Sequence, residues 1–207
     1  MARQPTRKAA GRSAAAAKRG RSAVPPKGRA RPGKAPRRTA PPASPPYSLT
    51  EKRLIAALAP IPALALDGPW PNRRWTHEIK AHVGALGLAS GHAVFADECL
   101  GAGAQWVFAL CWVDLRAGRM RGIPLAMEVE WNLNMGEIAE DFDKLLQSRA
   151  QHRLLVFDQR NAADVAMVLK NLKTRIGAFA ARQKGDRFLF AGYDFTGRQF
   201  LFDLHVV

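Results

Sequence analysis

Short β-branched and aromatic segments alternate with amphipathic helical segments through most of this chain. Between residues 106 and 206 the apolar residues change repeatedly from a strand-like run to helical spacing and back. This alternation predicts an α/β fold, with a mixed central sheet flanked by helices. We expect a first helix that begins at Ser48 or Thr50 and ends at Pro60, helices over 72–88, 136–150 and 162–183, strands over 94–98, 106–113, 123–131, 153–157, 187–193 and 199–206, and turns over 115–122 and 158–161.

The first 46 residues have a different composition from the rest of the chain. They hold 13 of the 32 Lys and Arg residues, nine of the 14 prolines and no acidic residue. A segment with so few apolar side chains cannot offset its ordering entropy, so we expect a disordered tail before a folded domain over 47–207. The folded part keeps 19 basic and 17 acidic residues, so 13 of the 15 net positive charges belong to the tail.

Basic side chains of this kind give sequence-independent affinity for nucleic acid, because each neutralised phosphate releases counterions. We therefore expect the tail to bind DNA; a solvated linker or an organellar transit peptide is the alternative. The contact is assigned to six arginines of the tail, Arg19, Arg21, Arg29, Arg31, Arg37 and Arg38.

Cysteine content and apolar run length exclude two further classes of protein. Two cysteines, Cys99 and Cys111, cannot staple a secreted scaffold, and we expect reduced core thiols. The longest apolar run, 54–66, contains Pro60 and Pro62 and is too short to span a bilayer. With no apolar signal segment at the N-terminus, we expect no membrane contact and a cytoplasmic location, or association with the nucleoid.

Two glutamates stand two residues apart on a mostly apolar strand, in Leu-Ala-Met-Glu-Val-Glu-Trp over 125–131. The alternation of a strand places Glu128 and Glu130 on one face, with Cα atoms roughly 6–7 Å apart. Two like charges so close resist burial unless a positive group lies beside them. A divalent metal or a Lys or Arg would serve, and a solvated edge strand is the alternative.

Three segments in order resemble the PD-(D/E)XK nuclease superfamily, which has the restriction-endonuclease-like fold. These are Gln-Trp-Val-Phe-Ala-Leu-Cys-Trp over 105–112, Glu-Val-Glu-Trp over 128–131 and Asp-Phe-Asp-Lys-Leu-Leu over 141–146. They are similar to the "EWLYDLxW", "ExEW" and "DFxKLL" segments of one branch of that superfamily. The resemblance covers roughly residues 72–158 and implies a core of helix, three strands, helix and strand.

The resemblance also implies roles for individual residues. Glu128 takes the place of the third-strand metal ligand, with Glu78 of the first long helix beside it. The second-strand aspartate of the family falls on Ala109, so Asp114 is the substitute ligand, with Asp97 and Glu98 as alternatives. The catalytic lysine position falls on Glu130, and Lys144 of the next helix is expected to supply the lysine.

These roles imply hydrolysis of DNA phosphodiester bonds with Mg²⁺, for which Mn²⁺ would substitute. Glu130 and Lys144 would orient or deprotonate the attacking water. Because Ala109 replaces a ligand, the alternative is a non-catalytic DNA-binding protein with a degraded site. The sequence does not specify an oligomeric state.

Overall fold

The computed structural model describes residues 46–65, 68–97 and 101–207. The predicted tail, with the six arginines assigned to DNA contact, lies outside these ranges except for Pro46. Glu98 and Cys99 lie outside them as well. Cys111 is a buried free thiol, as the sequence predicts.

Five helices and six strands make up the described part of the chain. The helices are α1 (Leu49–Leu58), α2 (Ile61–Leu64), α3 (Asn72–Ala89), α4 (Met135–Gln147) and α5 (Ala162–Ala178). The strands are β1 (Ala93–Phe95), β2 (Leu110–Arg116), β3 (Arg119–Glu130), β4 (His152–Gln159), β5 (Arg187–Asp194) and β6 (Gln199–Val206).

The six strands form one mixed sheet in the order β1-β2-β3-β4-β5-β6. Strands β1, β2 and β3 are antiparallel neighbours, β3, β4 and β5 run parallel, and β6 returns antiparallel to β5. Helices α4 and α5 make the two connections between parallel strands, as parallel pairing requires. The predicted mixed sheet flanked by helices is confirmed, and the carboxyl ends of β3, β4 and β5 share one edge.

Each face of the sheet packs against its own pair of helices. Ile79 of α3 belongs to the same buried cluster as Leu54 of α1 and Met127 of β3. Phe142 of α4 belongs to a second cluster, with Ala126 of β3 and residues of α5. Because successive side chains of a strand alternate, this assignment shows which face each residue of β3 occupies.

The start of α1 has the capping pattern that its sequence indicates. Ser48 Oγ accepts a hydrogen bond from the Glu51 N–H, and the Glu51 carboxylate accepts one from the Ser48 N–H, at 3.2 and 2.7 Å. This reciprocal pair satisfies two amides that a helix start otherwise leaves without partners. Of the two predicted caps, Ser48 is therefore the residue used.

Several predicted element bounds are wrong in ways that matter for the site. β2 begins at Leu110, and Trp106, expected on a buried strand, is 51% exposed. The predicted turn over 115–122 shortens to Ala117 and Gly118, both with positive φ, so β3 is long. β4 continues through Gln159, where we expected a turn. α5 ends at Ala178 rather than near residue 183.

Candidate functional site

Glu128 and Glu130 lie near the carboxyl end of β3, on the sheet face that α4 covers. Ala126, two residues earlier, packs in the cluster of α4, whereas Leu125 and Met127 pack in the cluster of α3. Alternation therefore points both glutamates toward α4, and the predicted common face is the one observed. In open α/β sheets, ligands bind at the carboxyl ends of the parallel strands, which is where this pair lies.

The Glu128 carboxylate is almost fully buried, at 4% exposure, and is incompletely hydrogen-bonded. Its Oε2 accepts a hydrogen bond from the Ala109 N–H at 3.3 Å. Its Oε1 lies 3.9 Å from Lys144 Nζ, which is too far for a hydrogen bond, and has no hydrogen-bond partner within the described residues. A buried polar atom without a partner is unfavourable and is typical of a position where a water, ion or ligand binds.

Burial raises the pKa of Glu128 to about 7, because the charged form is poorly solvated there. The positive charge of Lys144 opposes that shift, and the nearby carboxylate of Asp141 adds to it. Burial also raises the pKa of Glu130, and Asp141 adds to that shift. The Asn132 N–H, which donates to Glu130 Oε1 at 2.6 Å, acts in the opposite direction and lowers the pKa. Both glutamates therefore have raised pKa values, and that of Glu128 is close to neutral pH.

Lys144 of α4 supplies the positive group that the glutamate pair requires. Its Nζ donates to Asp141 Oδ1 at 2.6 Å, and this hydrogen bond raises the pKa of Lys144. Lys144 thus lies near Glu128 and at the same time pairs with Asp141. We call Glu128, Glu130, Asp141 and Lys144 the β3 site.

Sequence reasoning missed two buried polar residues at the end of β4. Asp158 is 3% exposed and Gln159 is 7% exposed, and neither Asp158 Oδ1 nor Gln159 Nε2 has a hydrogen-bond partner among the described residues. Burial raises the pKa of Asp158 to about 7, and the charge of Glu130 contributes. The sequence places this polar pair directly after the apolar run Leu-Leu-Val-Phe over 154–157. The pair falls within the predicted turn over 158–161, although it continues the strand.

The structure does not bring Glu78 to the β3 site. Glu78 lies half-buried on α3, which packs on the sheet face opposite to the one that Glu128 occupies. Lys80, whose charge lowers the pKa of Glu128, is two residues further and so about 200° around the helix from Glu78.

Asp114 is also remote from Glu128. It pairs with Gly122, whereas Leu110 pairs with Met127, next to Glu128. Gly122 precedes Glu128 by six residues on the same strand, a distance of about 20 Å at 3.3 Å per residue. The register between β2 and β3 does shift at Asp114, but at the end of these strands that is remote from Glu128.

Asp97, the alternative substitute, lies at the correct edge. β1 pairs Phe95 with Cys111, so Asp97 follows β1 near the start of β2, on the side of Ala109. Its Oδ1 accepts a hydrogen bond from the Gln105 N–H at 2.9 Å, and Gln105 Oε1 accepts one from Lys80 Nζ at 3.4 Å. Asp97 thus connects through Gln105 to the lysine that acts on Glu128.

The donors at the β3 site fit a hard divalent cation in chemistry, although they do not form a closed cage. In the ranges that the structure describes, no three His, Cys, Asp or Glu side chains are grouped to hold a metal ion. Mg²⁺, however, is usually bound by one or two carboxylates, several waters and substrate phosphates. The unpartnered Oε1 of Glu128 and the carboxylate of Asp141 meet that smaller requirement.

Comparison with protein-family models, with curated proteins and with solved structures finds no significant match to this chain. Across the described ranges, no helix has the length and apolar character needed to cross a membrane.

The raised pKa of Glu128 predicts a specific pH dependence of stability in metal-free buffer. Between about pH 5 and 7 the folded domain holds a proton that the unfolded chain has released, so this group makes stability fall as the pH rises. The contribution is up to about 3 kcal/mol for Glu128. Urea unfolding at pH 5.5 and pH 8 should show a smaller loss for Glu128→Gln than for the parent.

Comparing the parent with Glu128→Gln separates the effect of Glu128 from that of groups that change stability with pH in the opposite direction. His152 is one of these, because burial lowers its pKa. Glu140→Gln, an exposed change on α4, is the matched control and should follow the parent. Equal losses of stability in the parent and in Glu128→Gln would show that Glu128 titrates normally.

Proposed function

We propose that this domain hydrolyses phosphodiester bonds of DNA at the β3 site, using Mg²⁺ or, as a substitute, Mn²⁺. The observation that carries the proposal is the Glu128 carboxylate, buried at the carboxyl end of β3 with one oxygen unpartnered and Lys144 at 3.9 Å. A buried carboxylate with a free oxygen beside a cationic side chain can bind a metal ion and a phosphate together.

The order of elements supports the same proposal. A long helix, three antiparallel strands, a helix and a parallel strand, from α3 to β4, follow the order that the resemblance to restriction-endonuclease-like nucleases implies. The lysine that this family carries two residues after the metal-binding glutamate is replaced here by Glu130. Lys144, from the following helix, lies 3.9 Å from the same glutamate.

The charges of the β3 site suggest a division of roles. Glu128 and Asp141 would hold the metal ion, which lowers the pKa of a bound water and neutralises charge on the phosphate when it is present. Lys144 stays protonated because Asp141 raises its pKa, so it orients the water or the phosphate by donating hydrogen bonds. Glu130, with a raised pKa and half-buried, is then the group suited to accept the proton of the water.

The tail would supply affinity for the DNA backbone. Its 13 basic residues offer phosphate contacts without sequence preference, whereas the domain that follows is nearly neutral. Because the tail is joined to the domain, DNA bound by the tail would stay near the β3 site.

A second candidate function is non-catalytic DNA binding. The observation that favours it is Ala109, which takes the place of the second-strand aspartate and contributes only its N–H to Glu128. In that case Lys144 is the permanent positive partner of Glu128 and Asp141, and the domain serves only to present the tail.

A cleavage assay on supercoiled plasmid and on single-stranded DNA separates the two functions. The parent should cleave in Mg²⁺ or Mn²⁺ and not in EDTA, and Lys144→Met should be at least about 100-fold slower, because it loses the donor that orients the water. Lys170→Met, which removes an exposed lysine of α5, is the matched control and should cleave like the parent. A parent that cleaves neither DNA in either metal would favour the non-catalytic function.

A further inference from the structure

A cavity lined by aromatic rings opens at the end of β5, on the sheet face opposite to the one that carries the β3 site. It has a volume of about 310 Å³, and its walls include Trp70, Trp75, Tyr193, Phe195 and Arg198. We call it the aromatic cavity. Its volume is at the lower end of the range for small-molecule sites, so it suits one flat ring system and not a duplex.

The rings of the aromatic cavity form a continuous row of tilted and edge-to-face contacts from the core to the surface. Trp75 lies with its centroid 4.8 Å from that of Tyr193 and 5.1 Å from that of Trp70. Tyr193 in turn lies 5.1 Å from Phe195. Trp75 and Tyr193 are each 5% exposed, whereas Phe195 is 47% exposed at the rim. A buried, rigid floor with an open aromatic rim is the arrangement on which an unpaired base stacks.

Among the residues that the structure describes, two arginines and one carboxylate lie around the cavity. The Arg74 guanidinium lies over the Trp70 ring, 4.2 Å from its centroid. Arg198 lines the cavity, and its charge lowers the pKa of Tyr193 against the effect of burial. The neighbouring Asp194 raises the pKa of Tyr193 by its charge, and its Oδ1 accepts a hydrogen bond from the Gly197 N–H at 2.9 Å. The lining therefore fits a flat ring that carries negative charge at its side.

The aromatic cavity lies at the same edge of the sheet as the β3 site. The Phe195 N–H donates to the Gln159 carbonyl at 3.1 Å, and Thr196 Oγ1 donates to the Arg160 carbonyl at 2.8 Å. These bonds fix the β5–β6 turn to the end of β4, which pairs with β3. β5 is two strand positions from β3, about 10 Å laterally. Because the two sites lie on opposite faces of the sheet, one bound strand would reach both by passing over this edge.

We propose that the aromatic cavity binds one unpaired nucleobase of DNA, stacked between Phe195 and Trp70, with Arg198 and Arg74 beside its phosphates. The proposal extends the proposed function and rests on it for one point, the form of DNA that the β3 site cleaves. It makes the preferred substrate of the β3 site a single-stranded or frayed end, in which a base is free to leave the stack.

The test measures stacking directly, on the full chain and in EDTA, so that no cleavage is involved. The probe is a single-stranded oligonucleotide with one 2-aminopurine, whose fluorescence is quenched when the base stacks on an aromatic ring. Elevated salt suppresses binding through the tail. The parent should quench the probe, and the same sequence as a duplex should give no change.

Two variants probe the cavity and one serves as control. Phe195→Leu keeps an apolar side chain at the rim but removes its ring, and Arg198→Gln removes the charge; each should weaken binding of the probe about 5- to 100-fold and reduce the quenching. Met167→Ala removes an exposed apolar side chain of α5 and should bind like the parent.

Three results would overturn the proposal. They are unchanged quenching in Phe195→Leu, equal quenching with the duplex, and self-association of the chain that Phe195→Leu abolishes, which would assign the cavity to a second copy. A parent that quenches the probe but never cleaves DNA would refute the nuclease function and keep the base site. A parent that cleaves DNA but does not quench the probe would refute the base site and keep the nuclease function.

Discussion

Replacement of Glu128 by glutamine is expected to slow metal-dependent DNA cleavage at least about 100-fold, a loss of about 3 kcal/mol of transition-state stabilisation. The amide has the shape of the carboxylate and can still accept the Ala109 N–H bond, which is 3.3 Å long in the parent. It cannot, however, supply the negative charge that a divalent ion requires from a ligand. Initial rates on plasmid DNA, measured in Mg²⁺ and in Mn²⁺, give this ratio.

The matched control is Glu140→Gln, on the exposed side of α4 near the same site. It makes the same chemical change and should cleave at the rate of the parent. DNA binding in EDTA should be alike in all three proteins, because neither change alters the tail or the aromatic cavity. A Glu128→Gln protein that cleaves within a few-fold of the parent would remove Glu128 from the reaction.

Replacement of Glu51 by alanine is expected to destabilise the domain by about 3–5 kcal/mol, the cost of breaking a buried ion pair. Glu51 is fully buried and accepts hydrogen bonds from Arg187 Nε and Nη2, both at 2.7 Å. Burial alone raises its pKa, but the bonds from Arg187 and Ser48 prevail and hold the pKa below the usual value. The alanine variant would leave Arg187 half-buried without its partner and would lose the cap of α1.

Thermal unfolding measures this effect, with an expected decrease in Tm of about 10 °C for a domain of this size. The double variant Glu51→Ala with Arg187→Met should recover part of the loss, because it removes the stranded charge as well. Glu137→Ala, an exposed acid in the first turn of α4, should cost less than about 1 kcal/mol. A Glu51→Ala protein that melts within two or three degrees of the parent would contradict the buried pair.

The order of helices and strands was predictable because apolar spacing reports it directly. The stripe of Ile138, Phe142 and Leu145 is that of a helix with one buried face, and all three side chains are fully buried. The common face of Glu128 and Glu130 followed in the same way from the period of a strand. Local patterns of this kind indicate both the type of element and the face that each residue occupies.

The partners of Glu128 were less predictable because they depend on packing between distant segments. Glu78 and Asp114 were chosen by their order along the chain, which contains no information on the face or end of the sheet. Lys144 was found because a helix that follows a strand commonly packs on it. Asp158 was missed since the strand continues two residues beyond its last apolar side chain.

The aromatic cavity could not have been predicted from any single segment. Trp70 and Trp75 come from the loop before α3 and from α3, whereas Tyr193 and Phe195 come from the end of β5, more than 100 residues later. Aromatic residues are usually core residues, and Trp75 indeed is one. Only the register of β4 and β5 shows that these rings meet at the edge that carries the β3 site.

The response of thermal stability to metal in the parent and in Glu128→Gln tests the central claim most directly. At pH 8 in EDTA the variant should be at least as stable as the parent, because it lacks a buried carboxylate whose pKa burial raises to about 7. Saturating Mg²⁺ or Mn²⁺ should then stabilise the parent alone, by about 3 kcal/mol at a hundredfold excess over Kd. If neither protein responds to either metal and the variant melts far below the parent, Glu128 is the structural partner of Lys144, and the domain is not a metal-dependent nuclease.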